Sequence, residues 1–106
     1  MAGIIKGLIY SIIYIIMKTS KGFQLRDICG EKVIIAEGIE NLNFSKLISL
    51  NESAAYIWTS VSQMTYFDEK TVTQLLLNEY DVTEDVALQD AKKLISEWKE
   101  QKIIEN

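Results

Sequence analysis

The residues able to do chemistry are few, and each has a plainer role open to it. No histidine occurs anywhere in the chain, which removes the commonest general base and the commonest metal ligand together. Cys29 is the single cysteine. It falls in or beside an expected turn with no imidazole to activate it, so it reads as an ordinary thiol rather than a nucleophile. The acidic pairs Asp68/Glu69 and Glu84/Asp85 are adjacent in sequence, so their side chains diverge. They stand where helix starts favour negative charge, and capping accounts for them better than acid/base work does. Gly22, Gly30 and Gly38 are isolated turn glycines, and none opens a helix with the spacing of a phosphate-binding loop. Trp58 and Trp98 lie on apolar stripes, where core packing is the simpler role than a ligand box. The chain therefore reads as no enzyme, with no metal and no cofactor.

One charged feature stands out. Lys92, Lys93, Lys99 and Lys102 form the densest basic cluster in a protein of net charge −4. A solvated helix face explains them, and an acidic partner, if one binds, would be expected there. Lys6 is the only charged residue before Lys18, so the remainder of the chain carries a net −5. That balance argues against bulk attraction to nucleic acid and leaves open only a local patch. Apolar residues at 48% and charged residues at 25% place the chain among soluble globular proteins rather than disordered tails. One unpaired cysteine requires no oxidising compartment, and a cytoplasmic location is expected.

Residues 4–16, IIKGLIYSIIYII, are almost wholly apolar but shorter than the roughly 20 residues of a spanning helix. No small-residue cleavage site follows them, as a secretory signal would need. Three readings stay open: that Met17 is the biological start, that the segment covers an apolar surface of this chain or of a second copy, or that it is a shallow membrane anchor. The expected division is an apolar extension over 1–16 and one domain over 17–106.

The elements follow from periodicity. FQLRDI and KVIIAE flank Cys29-Gly30-Glu31 and predict a β-hairpin, with a polar loop opening at Gly38. KLISL at 46–50 is a third strand, with Ile48 and Leu50 on one face and Leu47 on the other. It runs straight into Asn51, a helix N-cap, with Glu52 in the first turn. Helices are expected from there to about 62–64, over 71–80, and from the Thr83 cap onward, where Ala87, Leu88, Ala91, Leu94, Ile95 and Trp98 form one broad apolar stripe. Strands followed by helices give an α+β fold: a small three-stranded antiparallel sheet followed by three α-helices.

The order of short signals from Leu50 onward is informative. Leu50-Asn51 ends a strand, Ile57-Trp58 follows in the next helix, then Thr71-Val72, then Glu79-Tyr80-Asp81-Val82, and Lys102-Ile103-Ile104 closes the chain. Over about residues 23–104 this resembles the PqqD-like family (pyrroloquinoline quinone biosynthesis protein D), with its LN…IW start, TV helix, Tyr-Asp-Val hinge and closing Gly-(Leu/Ile)-(Ile/Val). Two departures put borrowed turn contacts in doubt: Ala54 where the family often has Gly, and the longer SQMTYFDEK at 62–70.

The resemblance implies a winged-helix-like fold and a non-catalytic peptide-binding module, a recognition element for ribosomally made, modified peptides. Such a module captures the leader of a precursor peptide and presents it to a modifying enzyme, often a radical S-adenosylmethionine enzyme. It implies addition of the leader to the third strand, in the groove against the last helix. The strand wall would be Lys46, Leu47, Ile48 and Ser49. On the helix, Leu88, Lys92, Ile95 and Lys99 at i, i+4, i+7 and i+11 would give an apolar floor with a basic rim, suited to an acidic, apolar leader. Two other function classes compete: a scaffolding or homodimerising subunit without leader binding, and a winged-helix DNA-binding regulator. The second is disfavoured because TVTQLLLNEY lacks any basic residue.

Overall fold

In the computed structural model, residues 16–36 and 47–106 are described; the apolar segment before Ile16, the loop expected from Gly38 and Lys46 lie outside them. The elements run β1 (Lys18–Thr19), β2 (Phe23–Ile28), β3 (Glu31–Ala36), β4 (Leu47–Leu50), α1 (Glu52–Val61), α2 (Glu69–Glu79), α3 (Glu84–Glu100) and β5 (Ile104–Glu105). The expected α+β order of sheet then three helices is therefore present.

β2 and β3 pair antiparallel from Phe23↔Ala36 to Ile28↔Glu31. This leaves Cys29 and Gly30 as a two-residue loop with φ of 55° and 84°, the left-handed pair that matches the strands' twist. The carboxylate of Asp27 secures the turn, accepting from the Gly30 N–H and from Lys32 Nζ, both at 2.9 Å. The Lys32 ammonium, first by hydrogen bond and then by charge, holds the Asp27 carboxyl below its usual range.

β4 adds to β3 antiparallel, from Lys32↔Leu50 to Ile35↔Leu47. Leu25, Ile34 and Ile48 thus form a row across the sheet. That row packs on a core of Ile57, Trp58, Val61, Val72, Leu76, Ala87, Ala91, Ile95, Trp98 and Ile103. The indoles of Trp58 and Trp98 meet edge-to-face, centroids 5.4 Å apart, and both are buried. They link α1 to α3 as packing residues.

Each helix starts on the cap its sequence supplies. Asn51 Oδ1 accepts from the Ala54 N–H at 2.9 Å and from the Ser53 hydroxyl at 3.1 Å. Thr83 Oγ1 accepts from the Val86 N–H at 3.3 Å. Asp68 moves the start of α2 ahead of the expected Thr71 through a capping box. Its Oδ1 accepts from the Thr71 N–H and the Thr71 hydroxyl, both at 2.7 Å. Those bonds, the hydroxyl's first, keep the Asp68 carboxyl below its ordinary value.

α3 ends in a Schellman motif: the Ile103 N–H reaches the Trp98 carbonyl at 3.1 Å, and the Lys102 N–H reaches Lys99 at 3.0 Å. Lys102 therefore lies outside the helix, at φ 62°, in the place where the resembling pattern carries glycine. Beyond it β5 pairs with β1, Lys18↔Glu105 and Thr19↔Ile104. Met17 and Phe67 exchange backbone bonds at 2.8 Å, and both side chains are buried. Neither contact was expected, because two-residue strands carry no periodicity to read.

Candidate functional site

β4 is the last strand of its sheet, and among the described residues nothing pairs with its outer edge. Antiparallel pairing uses the N–H and C=O of alternate residues, so two of its four residues turn these groups toward that edge. Leu50 passes directly into the Asn51 cap and α1. The strand is thereby anchored to the core by a helix with no intervening loop.

Beside this edge lies a groove. One part, of about 140 Å³, is lined by Ile48, Ser49, Leu50, Asn51, Ala54 and, from α3, Leu94, Glu97, Trp98 and Gln101. A larger part, of about 440 Å³, shares Asn51, Ala54, Leu94 and Glu97 with it and continues to Leu76, Tyr80, Val82, Asp90 and Lys93. The two adjoin as one channel along α3: the smaller part lies between β4 and α3, and the larger lies between the Asn51 cap of α1 and α3 and ends against the hinge after α2. Tyr80 is fixed there by an edge-on contact with Tyr56, centroids 6.2 Å apart. Its N–H caps α2 on the Leu76 carbonyl at 2.9 Å.

The predicted strand residues fall as follows. Ile48 is half-buried and lines the groove, Ser49 is exposed and lines it, and Leu47, on the same sheet face as Ser49, is 52% exposed and is not part of the lining. Lys46 lies outside the described residues.

The helix residues are placed differently from expectation. Leu88, Lys92, Ile95 and Lys99 do not line the groove. At about 100° per residue they run down one flank of the buried stripe formed by Ala87, Ala91 and Trp98, with Ile95 itself in the core. The groove lies on the other flank, at Asp90, Leu94, Glu97 and Gln101. An apolar stripe has two margins, and its spacing alone does not say which one faces the strand. Of the basic cluster only Lys93 reaches the groove, between Asp90 and Glu97, so the wall is mixed in charge rather than basic.

The groups reviewed for chemistry have structural occupations. Cys29 is exposed at the hairpin tip, Asp68 caps α2, and Glu84 and Asp85 fill the first turn of α3. Among the described residues no cluster could hold a metal ion, and no helix is long and apolar enough to cross a membrane.

Residues 31–104 match the family model described as coenzyme PQQ synthesis protein D (PqqD). The chain belongs to the PqqD family. The match begins at β3 and runs to β5, so it contains the edge strand, the Asn51 junction and all three helices that build the groove. Two solved structures share this PqqD fold. The structure of TbiB1 in complex with the TbiA(beta) leader peptide is 16% identical, with a TM-score of 0.66 over 84% of this chain and 95% of that one. Lasso peptide synthetase B1 complexed with the leader peptide is 19% identical, with a TM-score of 0.65 over 85% and 98%. No curated protein matches the sequence.

Proposed function

We propose that this chain is a non-catalytic recognition module that captures the leader of a ribosomally made precursor peptide and presents it to a modifying enzyme, a radical S-adenosylmethionine enzyme being the expected one. The observation that carries the reading is the outer edge of β4 bordering a groove whose other wall is α3, continued by an apolar cleft at Leu76, Tyr80 and Val82. An extended peptide that adds to such an edge gains main-chain hydrogen bonds, and its alternate side chains enter the groove. The two structural relatives are both complexes with a leader peptide, which supports the same reading.

In this mechanism Ile48, Ser49 and Leu50 hold the peptide backbone and its nearer side chains, and Leu94, Glu97 and Gln101 face it from α3. The large cleft bounded by Leu76, Tyr80, Val82 and Leu94 receives an apolar anchor, whose burial is worth about 1.5–3 kcal/mol. The capping of α1 directly on the strand keeps both walls preset, so little ordering cost falls on binding.

The test is a titration of the whole chain with the leader of any short precursor peptide found encoded beside its gene, followed by assigned amide shifts. Saturable shifts confined to residues 47–51, 80–82 and 90–101, weakened by Leu94→Asp, are expected. A folded chain that binds no leader at high micromolar concentration would sink the reading and leave the scaffolding role.

A further inference from the structure

The groove holds charges in an order that bears on which peptides it accepts. Glu97 and Leu94 are the two α3 residues shared by both parts of the channel, so they flank its midpoint, opposite Asn51 and Ala54. Around them the wall carries Asp90, Lys93 and Glu97, two carboxylates to one ammonium. Ion pairs between described side chains occur at Lys18–Glu105 and Lys32–Asp27, neither involving the groove. Lys93 precedes Glu97 by one turn, yet the two make no such pair.

The position of Glu97 adds a second consideration. It belongs to the last turn of α3 (Glu84–Glu100), where the negative end of the helix dipole disfavours an anion and favours a cation. Asp68, Glu84 and Asp85 all sit at helix starts, where the same field stabilises them. Glu97 is the acidic group of the groove placed against that preference, and its carboxylate and the helix end together present negative potential at the channel's midpoint. A cation there answers both.

Resting on the leader-binding reading, we infer that Glu97 is a specificity determinant selecting leader segments with a Lys or Arg beside the apolar anchor. The anchor enters the cleft of Leu76, Tyr80, Val82 and Leu94, and the cation, on the groove-facing side of the added strand, meets Glu97. This reverses the acidic leader that the lysines of α3 pointed to, because Lys92 and Lys99 lie on the flank away from the groove. An exposed ion pair changes affinity by a factor of only about 1.5 to 5. The effect is therefore one of ranking among peptides that already bind through backbone and anchor, and like charge in the same place doubles the contrast.

The experiment selects a displayed library of random twelve-residue peptides on the immobilised full chain, in parallel with Glu97→Gln and Glu97→Lys. Both variants alter an exposed helix position, and circular dichroism checks that they fold. Binders are retained only if Leu94→Asp abolishes their capture, which ties them to the groove. The expected result is enrichment of Lys and Arg over Asp and Glu next to an aliphatic or aromatic residue. That preference is lost in Glu97→Gln and inverted in Glu97→Lys, and a Lys-to-Glu exchange in a single binder weakens it at least about twofold. Groove binders that are charge-indifferent or acidic, or a preference untouched by Glu97→Lys, overturn this inference and leave leader capture standing. Failure to recover any groove-dependent peptide overturns the inference and leader capture together.

Discussion

Main-chain pairing between a peptide and β4 has a signature that side-chain contacts cannot imitate. β4 has four residues, Leu47–Leu50, spanning about 13 Å at about 3.4 Å per residue. Two of them turn their N–H and C=O groups outward, so an added strand forms at most about four main-chain bonds, two of which use peptide N–H groups. Methylating one such peptide nitrogen removes a donor and leaves a β4 carbonyl unmatched. At about 0.5–1.5 kcal/mol per bond, each loss weakens binding by about 2- to 12-fold, before any clash of the methyl group with the strand. Methylating an intervening nitrogen, which points away from β4, leaves the β4 bonds in place. A leader methylated one position at a time and measured by isothermal titration calorimetry should therefore show period-two sensitivity over about four residues, flat outside it. A uniform profile would refute strand addition, as would sensitivity that follows side-chain truncation without alternation. Binding would then have to rest on the groove's apolar lining alone.

Two stability predictions follow from the local geometry. Lys102 holds a left-handed conformation at φ 62°, which costs an L-residue about 1–2 kcal/mol, while glycine loses about 0.5–1 kcal/mol of unfolded-state freedom. Lys102→Gly should therefore change unfolding stability by about 0 to +1.5 kcal/mol in urea titration, and a lower midpoint would contradict the Schellman account. Asp68→Ala should cost about 1 kcal/mol by uncapping α2. Because the Asp68 carboxyl is lowered in the folded state from an ordinary value of 3.8, its contribution is fully present above that value and lost as pH falls through the lower folded value. The variant should accordingly show a shallower fall in stability below about pH 4 than the parent, and equal slopes would refute the assignment.

Much of this molecule was legible in one dimension. The hairpin at Cys29-Gly30, the third strand, the caps at Asn51 and Thr83 and the buried stripe of α3 all depend on residues within a few positions of one another. Their physics is short-range: a side-chain oxygen reaching an N–H three residues on, or an apolar pattern of period two or 3.6. The order of these signals also carried the family resemblance over 23–104, which the family match over 31–104 meets. The start of α2 at Glu69 precedes the expected Thr71, although Asp68 and Glu69 read as capping residues, because the apolar periodicity of the helix begins only there.

The site divided along the same line. The strand that borders the groove could be read, because KLISL runs straight into the Asn51 cap and so has a fixed place beside α1. The helical wall could not, since Leu88, Lys92, Ile95 and Lys99 border the buried stripe of α3 as regularly as Leu94, Glu97 and Gln101 do. Likewise the joining of β1 to β5 and of Met17 to Phe67 depends on residues far apart in sequence meeting through short stretches of backbone pairing. Local pattern was enough for the hairpin, the third strand, the three helices, the caps at Asn51 and Thr83 and the lack of any histidine-based chemistry. The tertiary structure decided which margin of α3 faces β4, and with it the charge that a bound peptide meets, because the rotation of a helix about its axis is set by everything packed against it at once.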